Sequence, residues 1–399
     1  MPIPTPLHAR TFPLCTSLNY RDWAGYYAVS AYETHHEHEY NAIRNGAALI
    51  DISPLFKYIL RGPDATALVD RIITRSAAKM KIDQVYYTPW CDERGHVLDD
   101  GTVTRLEENA YRWTAAEPNM RWIHENARGL NVDIVDASER LAAMALQGPT
   151  SGALLMRAAD ADVASLKYFR MTRGSIAGIP VEISRTGYTG DLGYEIWAAA
   201  EKAAEVWDAL MSTGRAFAIK PAGMLALDVS RIEAGLLLID VDFFSARKAQ
   251  IASQLYSPFE MSLDRLVDLT KDRFVGKQAL AAEAGRGPAR RIVGLDFDWP
   301  EVERIYERVG LPPMTVATAS RVAVPVYSSG HGQIGRATST TWSPVLKRMI
   351  ALATLDARFA ATGTRVEVEH TVDAVRHRVG AVVTQTPFYN PPQKTAPIA

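Results

Sequence analysis

Apolar positions recur along this chain with two different periods, and the change between them divides it. Over residues 1–40 neither period holds; the stretch is irregular and rich in Pro, Tyr and His. The apolar run Ala47–Ile52 then reads as a strand. Arg61-Gly-Pro-Asp64 opens a helix, with Pro63 near its first position and Leu68 and Ile72 on one face. From Val85 to Thr114 the pattern is a strand, a polar loop at Asp92–Asp100 and two further strands. Leu141–Leu146 is a short apolar strand, broken by Gly148-Pro149 ahead of another helix. Ile176–Ile183 doubles back as a tight hairpin with Gly178 near its turn. Helical spacing is clearest over Ala198–Ser212, which turns Ala203, Val206, Trp207, Leu210 and Met211 inward and stops at Gly214. A second helix runs from near Pro221 to Gly235, and residues 284–290 form a candidate linker. Beyond it the period becomes that of strands: Val322, Val324 and Val326, a turn at Ser329–Gly332, then Val366, Val368 and Val379–Val383. A mixed α+β region is therefore followed by a small all-β domain. No internal repeat appears, and the last ten residues, polar and Pro-rich, are expected to be loosely ordered.

Composition narrows the class. A chain of 399 residues has room for two or three domains. With 47% hydrophobic and 22% charged residues it is globular rather than disordered. A net charge of −1 offers no basic surface for nucleic acid or an anionic membrane. No apolar run approaches the roughly 20 residues that span a bilayer, and Met-Pro-Ile-Pro-Thr-Pro at the start lacks the form of a secretory signal. Cys15 and Cys91 have no metal-ligand or redox spacing and read as reduced thiols, which points to the cytoplasm. The expectation is a cytoplasmic enzyme.

Few constellations carry chemistry. His35-His36-Glu37-His38 would need distant partners to converge on a metal, and it reads as a solvated turn or helix start, so no metal is assigned. Gly187-Tyr-Thr-Gly-Asp-Leu-Gly193 follows a strand but matches neither the dinucleotide nor the P-loop spacing. Its three glycines would let a flat ligand approach the backbone, Tyr188 offers a ring face, and the Glu195 carboxylate can accept two parallel N–H bonds. A 2-amino-4-oxopterin presents such a donor pair; a purely structural glycine-rich turn fits the same residues. Asp99 and Asp100 are adjacent on a strand and point to opposite faces, so one of them enters any given pocket, which argues against a two-carboxylate hydrolase. Asp228 and Arg231 lie three apart on a helix and are expected to pair. There is no nucleophile elbow, zincin or kinase signature.

Read in order, Ile50-Asp-Ile-Ser53, Leu98-Asp-Asp100, Ala145-Leu-Gln-Gly-Pro149, Arg185–Glu195, Asp228–Gly235, Pro258-Phe-Glu260, Phe274–Leu280 and Pro387-Phe-Tyr389 form a pattern running through nearly the whole chain. In this pattern the chain resembles the aminomethyltransferase (T-protein) of the glycine cleavage system and its tetrahydrofolate-dependent demethylase relatives. The resemblance implies an α+β, three-lobed cloverleaf around a folate channel. Residues 1–285 would form two α+β lobes and residues 286–399 a C-terminal β-barrel domain. Carried over by position, it implies Asp100 as the catalytic aspartate beside N5 of tetrahydrofolate and Glu195 as the carboxylate on the pterin edge. Tyr87, Tyr168, Tyr188 and the backbone near Thr102 would line the pocket. Departures fall elsewhere: Gly95-His96 replaces a Gly-Gly, Leu227 stands where the family carries an arginine, and Ile239-Asp240 replaces a Tyr-Gly. The aromatic N-terminal stretch also differs, which makes Tyr20, Trp23 and Tyr26 candidates for the substrate end. The expected activity is transfer of a methyl group from a small O-, S- or N-methyl compound to tetrahydrofolate. The alternative is an aminomethyltransferase served by a lipoyl carrier protein, and a non-catalytic folate-binding accessory protein is a third reading.

Overall fold

The computed structural model describes residues 1–397. Two sheets and a barrel make three lobes. The first is a five-stranded antiparallel sheet in the order Val85–Cys91, Val97–Glu107, Ala110–Ala115, Phe56–Arg61, Asp133–Asp136. Helix Ala65–Ile72 covers it, burying Leu68, Val69 and Ile72 against Tyr58, Trp90 and Trp113. The second lobe is a seven-stranded sheet in which Gly193–Ala199, Leu141–Gln147 and Ala47–Asp51 are central neighbours. Its outer face is closed by helix Ala203–Gly214, whose Val206, Trp207 and Leu210 pack on Leu146, Tyr194 and Ile196. The third lobe is a closed barrel of six strands: Arg290–Phe297, Arg348–Asp356, Gly332–Ser343, Val324–Ser328, Arg365–Val372 and Val375–Thr384, in order around the ring. Closure leaves no free edge, and alternating Val, Ala and Leu side chains fill the interior.

Helix Met224–Glu233 sits where the lobes meet, and every residue from Ala226 to Glu233 is buried. A helix so enclosed must have its charges satisfied inside the protein. Glu233 accepts from Tyr40 Oη at 2.6 Å, from Arg44 Nε at 2.9 Å and from Ser343 Oγ of the barrel at 2.5 Å. Arg231 donates to Asp242, which also accepts from the hydroxyls of Thr338 and Ser339 on the barrel, each at 2.6 Å. The expected Asp228–Arg231 pair exists at 3.8 Å, but each residue has a closer partner: Asp242 for Arg231 and Arg321 for Asp228.

Several boundaries differ from the sequence expectation. Residues 1–40 are not irregular: Asn19–Trp23 and Tyr26–Ala31 form a hairpin, and helix Glu37–Asn45 begins inside the His cluster. Aromatic and polar residues alternate there too densely for an apolar period to show. The helix expected from Ala198 starts at Ala203, because Ala198 and Ala199 complete the strand that carries Glu195. The expected linker shrinks to 287–289, with helix Lys277–Arg286 on one side and the first barrel strand on the other. The chain end is tied down as far as it is described. Arg185 donates to the carbonyls of Gln393, Lys394 and Ala396, and Gln393 donates to Asp191 at 3.2 Å. Residues 398 and 399, part of the segment expected to be loose, lie outside the described residues. Among the described residues no helix is long and apolar enough to cross a membrane.

Candidate active site

A cavity of about 280 Å³ opens between the two sheets, the N-terminal hairpin and the buried helix. Its walls are mostly apolar: Ile50, Ile52, Leu55, Ala115, Met224, Leu227, Leu237 and Ile239. Polar groups converge on it from three directions.

The first comes from strand Val97–Glu107. Side-chain alternation sends Asp99 into the protein, where it accepts from Asn119 Nδ2 at 2.9 Å, Glu117 N at 3.1 Å and Asp100 N at 2.8 Å. Asp100 and Thr102, two apart, face the cavity. Tyr87 lies opposite Thr102 on the neighbouring strand, and its hydroxyl donates to Asp100 Oδ2. Burial raises the Asp100 carboxyl to about 6, against the opposing pull of the Tyr87 hydrogen bond. Asp99 is pushed up as well, by its burial and by the charge of Asp100. A carboxylate that titrates near neutrality inside an apolar cavity is equipped to take a proton.

The second group is Glu195, on strand Gly193–Ala199 of the other sheet. Burial raises it, while a Thr186 hydrogen bond and the charge of Arg112 oppose the rise. Arg112 is itself buried, with its guanidinium 4.2 Å from the Trp197 ring centre and paired with Glu182. Beside Glu195, Gln147 clamps the segment: its amide nitrogen donates to the carbonyls of Thr186 and Tyr194, each at 3.3 Å, and its amide oxygen accepts from Thr189 at 2.9 Å. A Cβ at Gly187 or Gly193 would run into that amide, and one at Gly190 into Ala234. The glycines therefore admit the protein's own side chains, not a ligand, which corrects the expected reason for them. Tyr188 lines the cavity and donates its hydroxyl to the Leu237 carbonyl.

The third group, Arg21, Trp23, Asp228 and Arg321, stands where the hairpin meets the helix and the approach to the barrel. Of the candidate residues, Tyr87, Asp100, Thr102, Tyr188, Glu195 and Trp23 line the cavity; Tyr20, Tyr26 and Tyr168 do not. Tyr20 packs instead on His8 and Tyr27. Tyr26, the first residue of its strand beyond the tight turn, also stays out of it. Tyr168 stacks edge-on against Phe169, 4.6 Å away, with Lys394 Nζ 5.8 Å from its ring. Arg21 and Arg321 escaped notice in the sequence: each is a lone arginine, and only folding brings them to one carboxylate.

Residues 17–271 match the model of the GCVT N-terminal domain, and residues 307–390 match the glycine cleavage T-protein C-terminal barrel domain. The chain belongs to the glycine cleavage T-protein family. It is 36% identical over 361 residues to an aminomethyltransferase of Moorella thermoacetica, covering 89% of this chain and 90% of that one. It is also 36% identical over 372 residues to a trimethylamine-oxide aldolase of Ruegeria pomeroyi, matching 90% of this chain and 43% of that longer protein. In fold it resembles the crystal structure of aminomethyltransferase T from Bartonella henselae, with a TM-score of 0.81 over 98% of this chain and 99% of that one, at 23% identity. Proteins of this family bind tetrahydrofolate and are one-carbon transferases that use it. The residues present fit that molecule. Glu195 lines the cavity with an acceptor carboxylate that can take the donor pair of a pterin amine and ring N–H. The apolar walls suit its flat rings.

Proposed function

We propose that this protein takes a methyl group from a small O-, S- or N-methyl compound and passes it to tetrahydrofolate. The observation that carries the reading is Asp100: a carboxylate raised to about 6, held by Tyr87, in the same apolar cavity as Glu195. Tetrahydrofolate, when bound, supplies the nucleophilic nitrogen N5. Glu195 holds the pterin edge, with Gln147 and Arg112 keeping its strand and charge in place. Asp100 favours the positive charge that develops as the new N–C bond forms and the donor's C–O, C–S or C–N bond breaks. The leaving atom keeps the bonding pair, as a thioether from a sulfonium, an amine from an ammonium or a phenolate from an aryl ether; Asp100 then accepts the proton released from nitrogen. Tyr87 fixes the Asp100 carboxylate and tempers its basicity. Ile50, Ile52, Leu55 and Leu237 keep water out and hold the two reactants at close range, a restriction worth on the order of 7–11 kcal/mol in well-oriented reactions. The methyl donor would lie against Leu227, Ile239 and Trp23, which line the cavity. Leu227 stands where the resemblance implies an arginine, and an indole face suits a cationic or aromatic methyl donor.

A second reading, aminomethyl transfer from a lipoyl carrier with release of ammonia, is favoured by the full-length match to aminomethyltransferases. One experiment separates them. The protein is incubated with tetrahydrofolate and a panel of methoxybenzoates, sulfonium compounds and methylamines, and in parallel with an aminomethyl-lipoyl donor. Appearance of 5-methyltetrahydrofolate by mass supports the first reading. Its absence, with robust ammonia and 5,10-methylenetetrahydrofolate from the lipoyl donor, replaces it with the second.

A further inference from the structure

We infer that Arg21 and Arg321 form a carboxylate-binding subsite at the Trp23 end of the cavity. The inference rests on the folate reading above only for which carboxylate arrives. Asp228, on the buried helix beside Leu227, is the hub. Arg321 chelates it, with Nη2 at 2.9 Å from Oδ1 and 2.7 Å from Oδ2 and Nε at 3.1 Å from Oδ2. Arg21 reaches it with Nη1 at 3.4 Å and is steadied by Ser30 Oγ, 3.3 Å from its Nε. Arg231 stands 3.8 Å away but is already bound to Asp242. Around Asp228 three guanidinium groups thus face two carboxylates, Asp228 and Asp242, a local excess of one positive charge in a cavity that Asp100 and Glu195 also line. Asp22 also lines the cavity but is solvent-exposed and accepts from Gly25 N at 2.9 Å.

Donors remain as well as charge. Among the described residues, Arg321 Nη1 and Arg21 Nη2 have no hydrogen-bond partner, and both side chains line the cavity. Asp228 holds both guanidinium groups at the cavity wall, each with one nitrogen unused, and two such donors can take the two oxygens of one carboxylate. It lies one residue from Leu227, so charge lost at 227 is supplied from the hairpin and the barrel approach. Two carboxylates could use it: the glutamate tail of the folate, or one carried by the methyl donor.

Binding measurements on the full-length protein decide this. Dissociation constants for tetrahydrofolate and for tetrahydropteroate, which lacks the glutamate, are measured on the wild type and on Arg21→Gln, Arg321→Gln and the corresponding Lys variants. Propionate, a bare carboxylate, is titrated with and without folate present. If the tail binds here, the Gln variants lose about 10- to 100-fold in tetrahydrofolate affinity, keep their tetrahydropteroate affinity and recover partly as Lys. If the donor's carboxylate binds here, both folates bind the variants unchanged, and propionate binds the folate-loaded wild type but neither Gln variant. The subsite is overturned if folate affinities do not change and propionate fails to bind the wild type. It is equally overturned if the Gln variants lose both folates alike. A wild type that binds neither folate sinks the folate reading instead, and propionate binding to the free protein still decides the subsite.

Discussion

At the scale of single residues, the consequence most open to measurement is the placement of Asp100. If it takes the proton from N5, Asp100→Asn should lower kcat by about 10²- to 10⁴-fold with little change in folate affinity, read as 5-methyltetrahydrofolate formed per enzyme. Because burial raises this carboxyl to about 6, the base form is lost as pH falls through that value, so kcat/KM should decline on the acid side with a midpoint near 6. The Tyr87 hydroxyl stabilises the ionised form, so Tyr87→Phe should move the acid limb to higher pH; an unmoved limb would remove Asp100 as the titrating group. The same burial acts on stability with a definite sign. Above about 6 the folded protein holds a charge that the unfolded chain carries at no cost, and the folded state regains stability as pH falls and the proton binds. Asp100→Asn should therefore melt higher than the wild type at pH 8, by a margin that shrinks as pH falls through about 6 and vanishes below the ordinary carboxylate range. That Asp99 and Asp100 would part company was legible in the sequence, because strand alternation depends on nothing else. Which tyrosines would reach the cavity was not: Tyr20, Tyr26 and Tyr168 are excluded by hairpin register and by long-range packing that no local period encodes.

At the scale of elements, the strand Gly193–Ala199 and the loop before it bring Glu195 to the cavity. The sequence shows a glycine-rich segment ending in a carboxylate; the structure shows that two of those glycines exist to let Gln147 bridge neighbouring strands. That role was hidden because Gln147 lies 40 residues before Gly187. It predicts that Gly193→Ala, a small change on paper, costs on the order of 1–3 kcal/mol by overpacking a tight contact. It should also weaken tetrahydrofolate binding, since Glu195 lies two residues on. Pairing it with Gln147→Ser should restore part of the lost stability, as measured by chemical denaturation. No recovery in the double variant would mean that the glycine serves something other than the Gln147 amide. The element pattern was otherwise readable wherever one face is wet, as in helix Ala203–Gly214 and the barrel strands. It also held for the enclosed helix Met224–Glu233, expected from near Pro221 to Gly235; what no period showed is that Asp228, Arg231 and Glu233 are buried along with its apolar residues.

At the scale of the whole molecule, the cavity exists only while the lobes stay docked, and the docking runs through buried charge. Asp242 joins Arg231 of the central helix to Thr338 and Ser339 of the barrel. Removing one partner of such a group strands the other, a cost of about 3–5 kcal/mol for a buried pair. Asp242→Ala should accordingly lower Tm sharply, and Asp242→Asn, which keeps the shape but not the charge, should fall between. The change of period near residue 290 announced a separate β unit in the sequence; that Thr338 and Ser339 would add polar contacts beside the apolar ones of Ile292, Ile350 and Leu352 was not announced, because they look like ordinary strand residues. A ligand that fills the space between the lobes should bind the docked state and not the unfolded chain. Tetrahydrofolate at 100 times its dissociation constant should then stabilise the protein by about 2.7 kcal/mol. Because the cavity walls come from both sheets, the hairpin and the buried helix, that gain should appear as one cooperative shift of the whole melting transition. A gain confined to part of a split transition would mean that the folate site belongs to one lobe alone.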